Sequence, residues 1–115
     1  MEKITGVGGI FMKADDAPKL RDWYRDHLGI DVHPQWGGAM IGDVVWSIFP
    51  AASAHFDKAC MVNYRVSDLD AMLAQLRAAG ATVDEKVTDD EFGRFGWATD
   101  PEGNRIELWQ PATDK

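Results

Sequence analysis

Two periodicities alternate along this chain, and their order occurs twice. Residues 4–14, ITGVGGIFMKA, alternate as a strand weakened by glycines, while DDAPKLRDWYRDHLG sets Leu20, Trp23, Tyr24, His27 and Leu28 at helical spacing. Asp15 and Asp16 open that helix and Gly29 closes it. The run from Ile30 to Pro50 is broken at Gly37, Gly38 and Gly42, and VVWSIF reads as the return strand of a hairpin, so about three strands are expected here. From Ala59 the order restarts. ACMVNYRV predicts a strand, and SDLDAMLAQLRAAG a helix with Leu69, Met72, Leu73 and Leu76 on one face. Ser67 and Asp70 have capping-box spacing, and Gly80 ends the helix. ATVDEKV, FGRFGWAT and RIELWQ follow as strands, the last two joined by the turn DPEGN.

The repeat survives a count of offsets. An offset of 52 pairs Asp16 with Asp68, Ile10 with Val62 and Lys13 with Arg65; after one deletion, 51 pairs Gly29 with Gly80 and Val32 with Val83. The economical reading is an α+β fold of two βαβββ units, residues 4–50 and 59–111, with linker 51–58. A ferredoxin-like fold leaves about two strand candidates unused. A length of 115 residues with 45% hydrophobic content suits one domain, residues 1–115.

Three stretches carry a family resemblance: KADDAPKLRDWYRDHLGI, VNYRVSDLDAMLAQLRAAG and GRFGWATDPEGNRIELWQP. The last is the most specific, a D-P-x-G-N turn followed by an apolar-Glu-apolar strand. The chain resembles the vicinal oxygen chelate superfamily, which includes glyoxalase I, extradiol dioxygenases, fosfomycin resistance enzymes and bleomycin resistance proteins. The resemblance implies a curved mixed sheet that forms a cup, with helices outside. It also implies a homodimer with sites at or near the subunit interface. In metal-dependent relatives, ligands such as His, Glu or Gln stand on the first and last strands of each unit.

Strand alternation puts Gly9, Phe11 and Lys13 on one face and, through the repeat, Met61, Asn63 and Arg65 on its equivalent. Glu107 and Trp109 oppose Ile106 and Leu108, and matching Pro50 to Pro111 sets Trp46 where Glu107 falls. The four metal positions then hold Gly9, Trp46, Met61 and Glu107. Only Glu107 is a ligand type, and one carboxylate rarely holds a divalent metal alone. The expectation is a cup without a cofactor or the standard metal, with Glu107 as the metal ligand if there is one.

For Glu107 two readings stay open. It is an exposed strand residue or a structural partner of Arg65, Lys13 or Arg94, or else a functional carboxylate in an aromatic cup, where it acts as a general base or receives a cationic ligand. Asn63 and Arg65 supply polar contacts at the cup wall or face solvent. Arg94, beside Gly93, clamps an anionic group or lies on the surface. Among five tryptophans, Trp36, Trp46, Trp97 and Trp109 fall in strand candidates, and Trp23 is expected in the core. Two or more indoles in the cup favour flat, aromatic or cationic ligands. His27 suits the helix end, while His33 and His55 are expected on the surface, with a nonstandard metal site joining either to Glu107 as the alternative. Cys60 is expected to be buried. Gly8 and Gly9 precede a strand, not a helix, and so lack the context of a phosphate loop.

Twelve basic against nineteen acidic residues give a net charge of −7, which disfavours nucleic acid and anionic membranes. One cysteine excludes an intrachain disulfide, and no long apolar run is present, so a soluble cytoplasmic protein is expected. The functional expectation is small-molecule binding in a cup formed by Phe11, Trp46, Met61, Asn63, Arg65, Arg94 and Trp109 and anchored by Glu107. The alternative is a glyoxalase I-like lyase or isomerase with Glu107 as base or metal ligand.

Overall fold

In the computed structural model, which describes residues 1–112, β1 (Ile4–Ala14) is paired along both edges. It runs parallel to β3 (Val44–Pro50) on one side and antiparallel to β4 (Cys60–Val66) on the other. Between β1 and β3 lie α1 (Ala17–Leu28) and β2 (Gly38–Ile41). After β4 come α2 (Leu69–Ala78), β5 (Thr82–Val83), β6 (Thr88–Asp90), β7 (Gly93–Thr99) and β8 (Arg105–Pro111). The sheet runs β2-β3-β1-β4-β8-β7-β5, with β6 on β7. Each half thus sets its first strand parallel to its last, and the β1–β4 ladder joins the halves. Ile10 faces Val62 across that ladder, the pair related by the 52-residue offset. The mixed α+β architecture expected from the sequence is the one observed.

Two strand assignments change. The third strand expected between α1 and β2 is a turn: His33 N–H donates to Gly38 O at 2.8 Å and Gly37 N–H to His33 O at 3.0 Å, while Pro34 has no N–H for a ladder. Ile30 and Val32 still pack against the α1 core, so their alternation reflects loop packing. In the second half, ATVDEKV pairs only at β5, and β6 is an additional short strand. Residues 113–115 of the expected domain lie outside the described residues.

Both helices cover one face of the sheet. Asp16 caps α1 by accepting Lys19 N–H, and Gly29 ends it in the left-handed region. Asp68, not Ser67, caps α2, accepting Ala71 N–H at 3.0 Å. Leu69, Met72 and Leu73 bury the inner face of α2 against Val66 and Leu108, each contributing about 1.5–3 kcal/mol. Under α1, Ala17 packs with Ala39, Trp46 and Ile48. Trp23, expected in the core, is 49% exposed and stacks on His27 at 5.0 Å. Cys60, expected buried, is exposed. Among the described residues no helix is long and apolar enough to cross a membrane.

The turn before β8 explains its sequence. Asp100 accepts the backbone N–H groups of Glu102 and Asn104 and the side-chain amide of Asn104, and Gly103 takes a positive φ of 87°. Foremost among these, the Asn104 side-chain hydrogen bond holds the Asp100 carboxyl below the usual range.

Register decides which residues face away from the helices, since directly paired residues share a face. Gly9 pairs with Val45 and Asn63, Phe11 with Ser47 and Met61, and Asn63 with Glu107. Trp46 pairs with Ile10, on the opposite face. The expected place of Trp46 in the cup is therefore corrected: it is buried on the helix side, with its ring against Tyr24 at 5.1 Å. The counterpart of Glu107 is Ser47, at an offset of 60 (107 − 47), and the Pro50–Pro111 match is one residue too long. A one-residue error inverts the strand. Trp46→Ala is expected to lower the unfolding free energy by about 3–5 kcal/mol in urea denaturation, as removal of a core aromatic does; a change below about 1 kcal/mol contradicts this placement.

Candidate functional site

Glu107 is the third residue of β8, and its neighbours on both adjacent strands are donors. Asn63 stands directly across on β4 and Trp97 directly across on β7. Asn63 Nδ2 donates to Glu107 Oε1 at 2.7 Å, and Trp97 Nε1 donates to Oε2 at 2.9 Å. The three side chains form one rung across three strands. A buried carboxylate needs such donors, and Glu107 is only 5% exposed.

A third group approaches from the segment between β3 and β4. His55 Nε2 lies 3.2 Å from Glu107 Oε2. Its ring stacks on Phe49 at 5.6 Å, with 5° between the planes, and meets Trp97 edge-on. The next residue, Phe56, is buried with Met61 and Trp97 and pins the segment. His55, expected on the surface, is 35% exposed and thus joins the buried carboxylate to solvent.

Beside this rung a cavity of about 740 Å³ opens on the face away from the helices. Phe11, Val45, Phe95 and Trp109 wall it, and Asn63 and Glu107 are the polar side chains that reach it from the sheet. Phe95 and Trp109 stack in parallel at 5.7 Å. Trp109 Nε1 donates to Phe92 O at 2.8 Å, which ties the wall to the turn before β7. Trp36, Met40 and Phe92 border the cavity, and each is about half exposed or more. Gly8 contributes backbone alone; a Cβ there would collide with Asn63 Oδ1 and the Trp109 ring.

Of the residues singled out in the sequence, Phe11, Asn63, Glu107 and Trp109 line this cavity. The others stand elsewhere. Met61 is 1% exposed and buried with Phe56 and Trp97. Arg65 donates to Asp43 O and lies over the Trp109 ring at 5.4 Å, outside the lining. Arg94 makes a two-pronged bond to Asp70 on α2, at 2.9 and 3.1 Å. That hydrogen bond holds the Asp70 carboxyl below its usual range, and Arg94 is not a clamp in the cavity. Lys13 sits over Phe56 at 5.2 Å. Of the expected partners of Glu107, then, Arg65, Lys13 and Arg94 all point to other groups. His33 accepts Gln35 N–H in its own turn and is far from this rung's bonding.

Sequence reasoning set His55 beside Glu107 only as the alternative of a nonstandard metal site, and missed Val45, Phe95 and the rim formed by Trp36, Met40 and Phe92. Phe95 was within reach, since it alternates with Trp97 in a strand next to Glu107. Trp36 and Phe92 lie outside regular strands, where periodicity gives no facing.

The glyoxalase-like domain family matches residues 9–109. No curated protein matches the sequence. Methylmalonyl-CoA epimerase from Mycobacterium tuberculosis is similar in structure, with a TM-score of 0.69 and 24% identity, over 96% of this chain and 90% of that one. A glyoxalase/bleomycin resistance protein/dioxygenase superfamily member from Vibrio splendidus 12B01 aligns with a TM-score of 0.67 and 12% identity, over 96% and 99%. A catechol 2,3-dioxygenase aligns at 0.68 and 20%, over 99% of this chain and 42% of that one. At these identities the structural likeness speaks for the fold.

Glu107→Leu removes the acceptor shared by Asn63 and Trp97 and leaves their N–H groups unpaired, so it is expected to cost about 1–3 kcal/mol for each orphaned donor. Glu107→Gln keeps one acceptor and is expected to lose less. Urea denaturation of both variants checks the order; a Leu variant as stable as the parent contradicts the rung's role.

Proposed function

The chain belongs to the glyoxalase-like domain family, and from that premise we propose that it binds a flat, largely apolar small molecule in the cavity beside Glu107, without a metal. One observation carries the reading: a cavity of about 740 Å³ with aromatic walls and two buried polar side chains at its base. Such sites draw affinity from apolar contact and orientation from a few polar groups. Phe11, Phe95 and Trp109 offer ring faces for stacking, and Glu107 with Asn63 fixes the occupant's orientation.

The donor set argues against the metal that relatives of this fold carry. The corresponding positions hold Gly9, Met61, Ser47 and Glu107, so one carboxylate and one hydroxyl replace a full set of ligands. Both oxygens of that carboxylate already accept protein N–H groups. Among the described residues no group of three His, Cys, Asp or Glu could hold a metal ion. The residues do not fit the group.

A second reading, an isomerase or lyase, is favoured by His55. Glu107 faces the cavity, and His55 bonds its Oε2 from a partly exposed position, a route by which a proton taken from a substrate C–H reaches solvent. Acetophenone in deuterated buffer tests it: exchange of the methyl protons above the buffer rate, lost in Glu107→Gln and slowed in His55→Ala, is the expected NMR result. Equal exchange by Glu107→Gln rules out the base.

For binding, titration with 2-naphthol is expected to quench tryptophan fluorescence saturably, and Trp109→Ala to weaken binding roughly three- to tenfold through lost stacking. About one equivalent of Ni, Zn, Fe or Mn in the purified protein, lost in Glu107→Gln, overturns the metal-free reading.

A further inference from the structure

Asn63 has one half of its amide engaged and the other half buried without a partner. Its side chain is 2% exposed, and Nδ2 donates to Glu107 Oε1 at 2.7 Å. That bond fixes the amide's orientation, because the flipped form would set Oδ1 against a carboxylate oxygen. Oδ1 is then buried with no hydrogen-bond partner, on a residue that lines the cavity. Native structures rarely leave a buried carbonyl unpaired, and such an atom calls for a donor from outside the chain. Gly8 lets the amide take this position against the backbone, since a Cβ there would strike this oxygen.

The charges nearby point the same way. Glu107 is the one charged side chain among the described residues that line the cavity. The arginines that could receive an anion are engaged elsewhere, Arg65 at Asp43 O and the outer Trp109 ring, Arg94 at Asp70. Trp109 Nε1, a donor in the wall, is tied to Phe92 O. A carboxylate or phosphate entering this space would lose its water to apolar rings and face a second carboxylate. The net charge of −7 opposes its approach as well.

Resting on the reading of this cavity as a ligand site, we propose that its occupant is an uncharged or cationic aromatic molecule with an N–H or O–H on its inner edge. That donor bonds Asn63 Oδ1, and the site rejects carboxylates, sulfonates and phosphates. Selection is for a donor rather than for shape alone. An unmade hydrogen bond at a buried oxygen penalises an isostere that lacks the donor more than a missing methyl group penalises binding in an apolar pocket.

Three probes with one ring system test this at pH 7: 2-naphthol, 2-methoxynaphthalene and 2-naphthoate, each titrated by tryptophan fluorescence and calorimetry. The cavity of about 740 Å³ has room for each, so size does not decide the order. The naphthol is expected to bind about tenfold more tightly than its methyl ether, a difference of about 1.4 kcal/mol, and the naphthoate not to bind measurably. Asn63→Leu is expected to abolish the naphthol's advantage. Gly8→Ala, which keeps the amide but whose Cβ would displace Oδ1, is expected to do the same, so the test survives if one variant fails to fold. If the methyl ether or the naphthoate binds as tightly as the naphthol, the donor rule is overturned while the cavity remains a ligand site. If none of the three binds, the ligand-site reading fails and this inference with it.

Discussion

The hydrogen-bonded rung of Asn63, Glu107 and Trp97 is the constraint on which the cavity face of the sheet depends. A carboxylate can occupy the middle of a sheet only where its neighbours supply donors, and here both flanking strands do so at the same level. The arrangement makes two registers interdependent, β4 against β8 and β8 against β7. A slip of one residue in β8 would turn Glu107 toward the helix side, where Leu108 packs among Val66, Leu69, Met72 and Leu73. No apolar core tolerates that exchange. The same bond that satisfies Glu107 also orients Asn63, so the unpaired Oδ1 follows from the rung.

Much of the fold was legible because its signals are local. Helix caps, glycine stops and the DPEGN turn act over a few residues, and the 52-residue offset needs only the order of apolar positions. The faces of β1, β4 and β8 followed from alternation, and so Phe11, Asn63, Glu107 and Trp109 were found together. The phase of β3 was not legible. Pro50 and Pro111 look like matching strand ends, but the ladders pair Ser47, not Trp46, at the level corresponding to Glu107. An indole in a strand beside a site reads as a wall residue; only the partner across the ladder reveals which way it faces.

The facing of His55, which the sequence left between the surface and Glu107, was undecided for a different reason. This residue lies in a small, irregular segment where no periodicity fixes direction, and its place depends on Phe49 beneath its ring and Phe56 buried beside it. Both contacts join chain segments through packing, not through a pattern that the sequence displays. Arg94 shows the converse. Its neighbours Gly93 and Phe95 suggested room for a ligand, but alternation opposite Phe95 carried it to the helix face and to Asp70.

The two halves place opposite chemistry at equivalent points of the sheet. Phe11 and Ser47 in the first half correspond to Asn63 and Glu107 in the second, and Gly9 corresponds to Met61. A metal held between the halves would need donors from both, and the first half supplies an aromatic ring, a glycine and a hydroxyl. What this sheet makes from the same frame is an apolar cavity, with aromatic rings from both halves along its walls and the two polar side chains at its base from the second half alone. The oxygens of Glu107, at the edge of this cavity, already meet Asn63, Trp97 and His55. The polar atom of the rung left without a partner is the neutral oxygen of Asn63, a carbonyl that can accept a hydrogen bond but not donate one.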